Sequence, residues 1–134
     1  MNSIMTFEYN KKIIDRLREW HYGINWPIVY IYYNDNYAYV GETLDAIRRT
    51  EQHMLESQFD QFDKICFISN KTFNKSVILD LESFLIKELK QGENFHSLSD
   101  RLKTNTYTDI SRTQNTIYQR LDYSKPSGTV VNVR

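Results

Sequence analysis

The sequence predicts an α+β domain with a small, mostly antiparallel three-stranded sheet flanked by helices. Two runs rich in Ile, Val and Tyr, at 27–33 and 37–41, are separated by Asn34-Asp35-Asn36. This order is typical of two strands joined by a tight turn, so residues 27–41 are expected to form a hairpin. A third apolar run at 62–68 predicts the third strand. The segments around these runs carry apolar residues at helical spacing.

Three helices are expected, over 7–22, 43–57 and 76–90. Residues that can cap a helix stand at each start, and glycines that can end one follow the first and the third (Thr6, Thr43, Ser76; Gly23, Gly92). The inward stripe of the second helix is expected to be Leu44, Ile47, Glu51, Met54 and Leu55.

The 134 residues suit a single domain. We expect a motif-bearing core at 26–92, an N-terminal helix within 1–25 and an irregular basic extension over 93–134. In that extension only a short helix near 113–121 and a strand near 129–133 are predicted.

Composition limits the class of protein. With 40% hydrophobic and 25% charged residues, the chain resembles a soluble globular protein. Its longest apolar run, 28–33, is too short to span a membrane, and the N-terminus lacks the pattern of a signal peptide. The single Cys66 excludes an internal disulfide framework and a multi-cysteine metal site. The expected location is the cytoplasm.

Charge is unevenly distributed although the net charge is zero. Residues 101–134 hold six basic and two acidic groups, a net charge of +4, and residues 1–100 hold eleven basic and fifteen acidic groups. Such a basic segment can contact phosphates, although a solvated tail is an equally good interpretation.

Glu82 interrupts an apolar stripe on the third helix. The stripe consists of Ile78, Leu79, Glu82, Leu85, Ile86 and Leu89. A buried carboxylate is costly unless it is paired, protonated or bound to a metal. Either a salt bridge to an arginine explains Glu82, or the carboxylate binds a divalent cation such as Mg²⁺, which needs few protein ligands.

Arg49 and His53 stand one turn apart on the second helix, on the side that flanks its apolar stripe. The guanidinium group can bind a phosphate through two parallel hydrogen bonds. Taken alone, each of the two is more often a surface or rim residue, as the neighbouring Arg48 illustrates.

Tyr30 and Tyr39 lie on the two strands of the expected hairpin, across from or diagonal to each other. Tyrosines are common on strands, so neither is informative alone. A functional tyrosine would orient or deprotonate water, and as a base at neutral pH it needs a nearby cation or hydrogen bond.

In order and spacing these residues resemble the GIY-YIG nuclease family. The matching positions lie within 27–90, and they are Ile28-Val29-Tyr30, Tyr39-Val40-Gly41, Arg49, His53 and Glu82. Ile28 replaces the first glycine of the family pattern. The final asparagine has no clear counterpart, and Asn105 is the best candidate. Gly41 is expected to let the backbone turn sharply after the second strand.

The resemblance implies a metal-dependent endonuclease that hydrolyses nucleic acid, with DNA as the expected substrate and Mg²⁺ or Mn²⁺ as the cofactor. It implies that Glu82 holds the metal, that Arg49 stabilises charge on the phosphate, and that Tyr30 activates water with help from Tyr39 and His53.

Segments around Trp26-Pro27 and Phe73-Asn74-Lys75-Ser76 are most similar to a branch in which the nuclease domain precedes a larger ATPase-like protein. Two other interpretations remain open. One is a non-catalytic module that binds nucleic acid or protein, and the other is a structural domain that serves an attached ATPase.

Overall fold

The computed structural model describes residues 2–92, 95–104 and 128–132, which form an α+β fold around one antiparallel sheet. Its strands are β1 (Ser3–Glu8), β2 (Ile28–Tyr33), β3 (Tyr37–Thr43), β4 (Lys64–Ser69) and β5 (Thr129–Asn132). They lie in the order β1-β4-β2-β3-β5, so β2 is the central strand.

The helices are α1 (Ile13–Glu19), α2 (Ala46–Met54), α3 (Lys75–Lys90) and α4 (Phe95–Thr104). A short 3₁₀ helix, Ser57–Gln61, connects α2 to β4. Within the described residues, no helix is long and apolar enough to cross a membrane.

Both faces of the sheet are covered. Alternate residues of β2, such as Val29 and Ile31, pack with α3 and α4 on one face, which we call the α3 face. Tyr30 and Tyr32 point to the other face, where they pack with α1, α2 and the 3₁₀ helix; we call this the α2 face. Because β2 is buried on both faces, its sequence is a continuous apolar run rather than an alternating one.

The predicted hairpin is confirmed, because β2 and β3 pair in antiparallel register. The predicted three-stranded sheet is wrong, since the sheet has five strands, with β1 and β5 as its two edge strands. The helix predicted over 7–22 is also wrong at both ends, since α1 covers only Ile13–Glu19 and its C-cap is Trp20, ahead of the expected Gly23. Thr6, expected as its cap, lies within β1 and pairs with Cys66 of β4, and helical structure begins only at Ile13. Pairing with β4 outweighs the local helical pattern, as tertiary context commonly does.

The predicted second helix begins too early. Thr43 is the last residue of β3, and the helix is capped by Asp45, whose side chain accepts a hydrogen bond from the backbone N–H of Arg48. The predicted inward stripe is correct for Ile47 but wrong for three of its members, since Leu44, Glu51 and Leu55 are exposed. The buried residues of α2 are Ala46, Ile47, Thr50 and His53.

The third helix agrees with its prediction. It runs one residue longer at its start, where Asn74 rather than Ser76 provides the cap, and Gly92 follows its end with φ +87°. The strand near 62–68 is confirmed as β4, and the one near 129–133 as β5. Helix α4 was not predicted. The helix expected near 113–121 lies outside the described residues, as does Asn105.

Candidate functional site

Tyr30 and Tyr39 form the centre of the site on the α2 face. In the antiparallel register Tyr30 pairs with Gly41, and Tyr32 pairs with Tyr39. The two motif tyrosines are therefore diagonal neighbours that point to the same face. Their rings are stacked with centroids 6.4 Å apart and an angle of 25° between the planes.

His53 packs against both tyrosines. Its ring centroid lies 5.4 Å from that of Tyr30 and 5.8 Å from that of Tyr39, and it stacks on Phe59 at 4.0 Å. Its Nδ1 lies 2.9 Å from the hydroxyl oxygen of Tyr32 in a buried hydrogen bond. His53 was expected at the rim of α2, but only 4% of its surface is exposed.

Burial and the nearby charge of Arg49 lower the pKa of His53 to about 4, against a weaker opposing effect of Glu56. The imidazole is therefore neutral at physiological pH. A neutral ring that engages Tyr32 through Nδ1 has one remaining nitrogen, Nε2, for any further polar contact.

The hydroxyl of Tyr30 is buried without a hydrogen-bond partner among the residues that the structure describes. The residue is 1% exposed. Burial, followed by the neighbouring Tyr39, raises the pKa of this phenol, and the charge of Arg49 opposes the rise. The group is thus protonated at neutral pH. A buried hydroxyl without a hydrogen bond reduces the stability of the folded protein by about 1–3 kcal/mol. A water or a ligand oxygen that bound this hydroxyl would restore that free energy.

Gly41 is required for a reason other than the one predicted. It does not end its strand at a sharp turn; it lies inside β3, under the ring of Tyr30. A Cβ atom here would lie 2.8 Å from Cε1 of Tyr30 and still closer to Cζ and Oη. The glycine of the Tyr-Val-Gly motif therefore makes room for the first tyrosine.

The second tyrosine has an equivalent neighbour that sequence reasoning missed. Gly128, just before β5, has φ +111°, and a Cβ on it would lie 2.5 Å from Cε1 of Tyr39. No local sequence signal identifies this residue, because the contact joins positions 89 residues apart.

Arg49 and Glu82 bring opposite charges to the tyrosine pair. Burial is the main cause that raises the pKa of both hydroxyls; the carboxylate of Glu82 adds to it at both, and the guanidinium of Arg49 opposes it at both. Arg49 is partly exposed on α2, whereas Glu82 is 8% exposed on α3. Both charges therefore act on the same two hydroxyls, although they come from opposite sides of the sheet.

Glu82 lies on the buried side of α3, as the apolar stripe predicts. Among the described residues, no three His, Cys, Asp or Glu side chains are grouped so that they could hold a metal ion. A single carboxylate whose charge acts on two tyrosine hydroxyls does not suit zinc, which is usually held by three or four protein ligands. It fits Mg²⁺ or Mn²⁺, since such hard ions keep several waters and accept oxygen ligands.

A pocket of about 360 Å³ opens beside this cluster, at the end of β3 and between the first turns of α2 and α3. Arg48, Arg49 and Lys75 line it together with Glu42 and Asp45. The ammonium of Lys75 lies 2.6 Å from a carboxylate oxygen of Glu42. We call this cavity the β3-end pocket.

Comparison of the chain with protein-family models, curated proteins and solved structures found no match. The resemblance to GIY-YIG nucleases therefore rests on residue types and their spacing in the sequence alone.

Sequence reasoning missed Tyr32, Glu42 and Lys75. Tyr32 had a readable signal, because residues two apart on a strand share a face and it follows Tyr30 at that spacing. Glu42 and Lys75 had none, since their pairing joins two separate elements.

Proposed function

We propose that this protein is a metal-dependent endonuclease that hydrolyses phosphodiester bonds in DNA. One observation carries the proposal: Tyr30, Tyr39 and His53 are in mutual contact, and the charges of Arg49 and Glu82 both act on the two tyrosine hydroxyls. Phosphodiester hydrolysis needs an activated water, a cation at the phosphate and a metal ligand within a few ångströms of one another.

Glu82 is the residue proposed to hold Mg²⁺ or Mn²⁺. When bound, the ion supplies neutralisation of the scissile phosphate and of the leaving oxygen. The guanidinium of Arg49 contributes a fixed positive charge with two parallel donors, which stabilises the negative charge that builds up on the phosphate oxygens.

Tyr30 and His53 are proposed to position the attacking water. Both are uncharged at neutral pH, because burial raises the pKa of the phenol and lowers that of the imidazole. The hydroxyl of Tyr30, which has no hydrogen-bond partner within the described part of the chain, offers one donor and an acceptor to a water or to a phosphate oxygen. Tyr39, stacked on Tyr30 and partly exposed, forms the outer wall of this arrangement.

The second candidate function is a non-catalytic module that binds nucleic acid or protein, accessory to a larger ATPase-like protein. The observation that favours it is the burial of Tyr30 and His53, which restricts access to the centre of the cluster. A binding module would keep these residues for packing alone.

Cleavage assays separate the two functions. Single-stranded, duplex and branched DNA should be incubated with the protein in Mg²⁺, in Mn²⁺ and in EDTA, alongside Glu82→Gln and Arg49→Ala prepared identically. The nuclease proposal expects cleavage that requires the metal and is lost in both variants. Binding of DNA without cleavage of any substrate in either metal would support the binding module instead.

A further inference from the structure

The β3-end pocket has two cationic side chains, Arg48 and Lys75, to which the proposed reaction at one phosphate gives no role. We propose that it binds a second phosphate of the nucleic-acid backbone, next to the one at Arg49, with Lys75 and Arg48 as its contacts. The inference rests on the proposed function, since it assigns the path of the same substrate.

The cations of the pocket are more accessible than its most buried carboxylate. Apart from Arg49, which the proposed reaction places at the first phosphate, the pocket is lined by two cations, Arg48 and Lys75, and two carboxylates, Glu42 and Asp45, so these four charges balance. Arg48 is exposed, whereas Glu42 is buried. Both carboxylates already accept hydrogen bonds from the protein. Asp45 accepts one from the backbone of Arg48, and Glu42 accepts one from Lys75.

Lys75 is held in place by its partner. The Glu42 side chain is 5% exposed, whereas the Lys75 side chain is 47% exposed, so a buried anchor fixes an accessible ammonium group. An ammonium has three donors, and the bond to Glu42 uses one of them. Glu42 is the hydrogen-bond partner of Lys75 among the described residues, so the remaining donors can bind a phosphate without the entropic cost of ordering a free lysine side chain.

The position of the pocket suits a neighbouring phosphate. Lys75 and Glu82 are seven residues apart on α3, so they share one side of the helix at a spacing of about 10 Å along its axis. Arg49, adjacent in sequence to Arg48, lines the pocket and also acts on the tyrosines. A strand bound at Glu82 and Arg49 would therefore pass the pocket, whose volume of about 360 Å³ is at the lower end of the range for ligand sites.

The salt dependence of DNA binding tests this proposal directly. Affinity for a short fluorescent duplex should be measured in EDTA, which prevents metal-dependent cleavage, over roughly 50–200 mM KCl. Lys75→Gln should weaken binding and reduce the slope of log Kd against log salt by about 1, the value for one lost phosphate contact. Lys90→Gln removes the same charge at the exposed far end of α3 and should leave the slope unchanged.

The double variant Glu42→Gln/Lys75→Gln separates a phosphate contact from a structural ion pair. It preserves the net charge and leaves no buried carboxylate without its partner. If Lys75 only neutralises Glu42, the double variant should recover both stability and DNA affinity. The proposal expects stability to recover while affinity stays low. Recovery of affinity to the wild-type value would overturn it.

Kinetics distinguish failure of the pocket from failure of the nuclease. If the wild-type protein cleaves DNA and Lys75→Gln changes neither KM nor the salt slope, the pocket proposal is wrong and the nuclease stands. If no cleavage is found but Lys75→Gln reduces the slope, the phosphate pocket stands and the catalytic function is wrong.

Discussion

The ring of Tyr30 lies over Gly41, its partner across the β2–β3 pair, so closely that position 41 has no space for a methyl group. The Tyr30 ring thus excludes a side chain at position 41, and the glycine at position 41 makes the space that the ring occupies. The tyrosine of Ile28-Val29-Tyr30 therefore depends on the glycine of Tyr39-Val40-Gly41.

Gly41→Ala is expected to destabilise the protein by about 1–3 kcal/mol, because the new methyl group must displace the Tyr30 ring in a packed interior. Urea unfolding should be compared with the same substitution in a Tyr30→Leu background. There the ring is absent and the cost should be smaller. If Gly41→Ala destabilised the wild-type protein and the Tyr30→Leu variant equally, the new methyl group would not be clashing with the Tyr30 ring.

Tyr30→Phe and Tyr32→Phe are expected to change stability in opposite directions. The first removes a buried hydroxyl that has no partner among residues 2–92, 95–104 and 128–132, and it should raise the free energy of unfolding by about 1 kcal/mol. The second removes the hydrogen bond to His53 and should lower the free energy of unfolding by a similar amount. Cleavage should fall in Tyr30→Phe despite its greater stability. A loss of stability in Tyr30→Phe would mean that its hydroxyl has a partner in the free protein.

Arg49→Ala should reduce kcat on the order of a hundredfold or more, since it removes the cation that the proposed mechanism places at the phosphate. Arg48→Ala serves as the matched control on the same helix. It should leave kcat nearly unchanged and mainly weaken DNA binding. Similar losses of kcat in both variants would indicate a diffuse basic surface rather than an oriented catalytic arginine.

Glu82→Gln should keep the fold and lose metal-dependent cleavage. A binding-based readout supports the assignment: Mg²⁺ should raise the Tm of the wild-type protein, because a ligand that binds only the folded state stabilises it, and should not raise that of the variant. Glu51→Gln, an exposed acid on α2, should retain the Mg²⁺ effect. An unchanged Mg²⁺ shift in Glu82→Gln would place the metal elsewhere.

His53 makes stability depend on pH. Its pKa falls from 6.5 to about 4 on folding, so between these values the unfolded chain binds one more proton than the folded protein. The contribution of His53 to the free energy of unfolding is therefore fully present above pH 6.5. It is lost as the pH falls towards 4, and the free energy of unfolding decreases by up to about 1.4 kcal/mol per pH unit. The free energy of unfolding should be measured with urea at several pH values across this range. Its slope against pH should be smaller for His53→Gln than for the exposed-site control His21→Gln. Identical slopes would contradict this.

Local patterns were sufficient for part of the structure. The β2–β3 hairpin and helix α3 followed from turn residues, caps and apolar spacing, and the burial of Glu82 followed from its place in the stripe. The diagonal arrangement of Tyr30 and Tyr39 also agrees with the register that a short turn imposes.

Other features depend on contacts between distant segments, which local patterns do not encode. The end of strand β1, Phe7 and Glu8, falls within the helix predicted over 7–22, but these residues form a strand because they pair with β4. Similarly, His53 is buried because the 3₁₀ helix places Phe59 against its ring. The role of Gly41 required knowledge of where the Tyr30 ring lies.

The sheet order also has a kinetic consequence. The hairpin partners Tyr32 and Tyr39 are close in sequence, but β3 gains its outer neighbour only when Val40 meets Thr129. Closing so long a loop is entropically costly, and such pairings generally slow folding. We expect the β2–β3 hairpin to form early and the pairing of β3 with β5 to form late, so that Tyr30 and Tyr39 would be neighbours before the strand beside Tyr39 is in place.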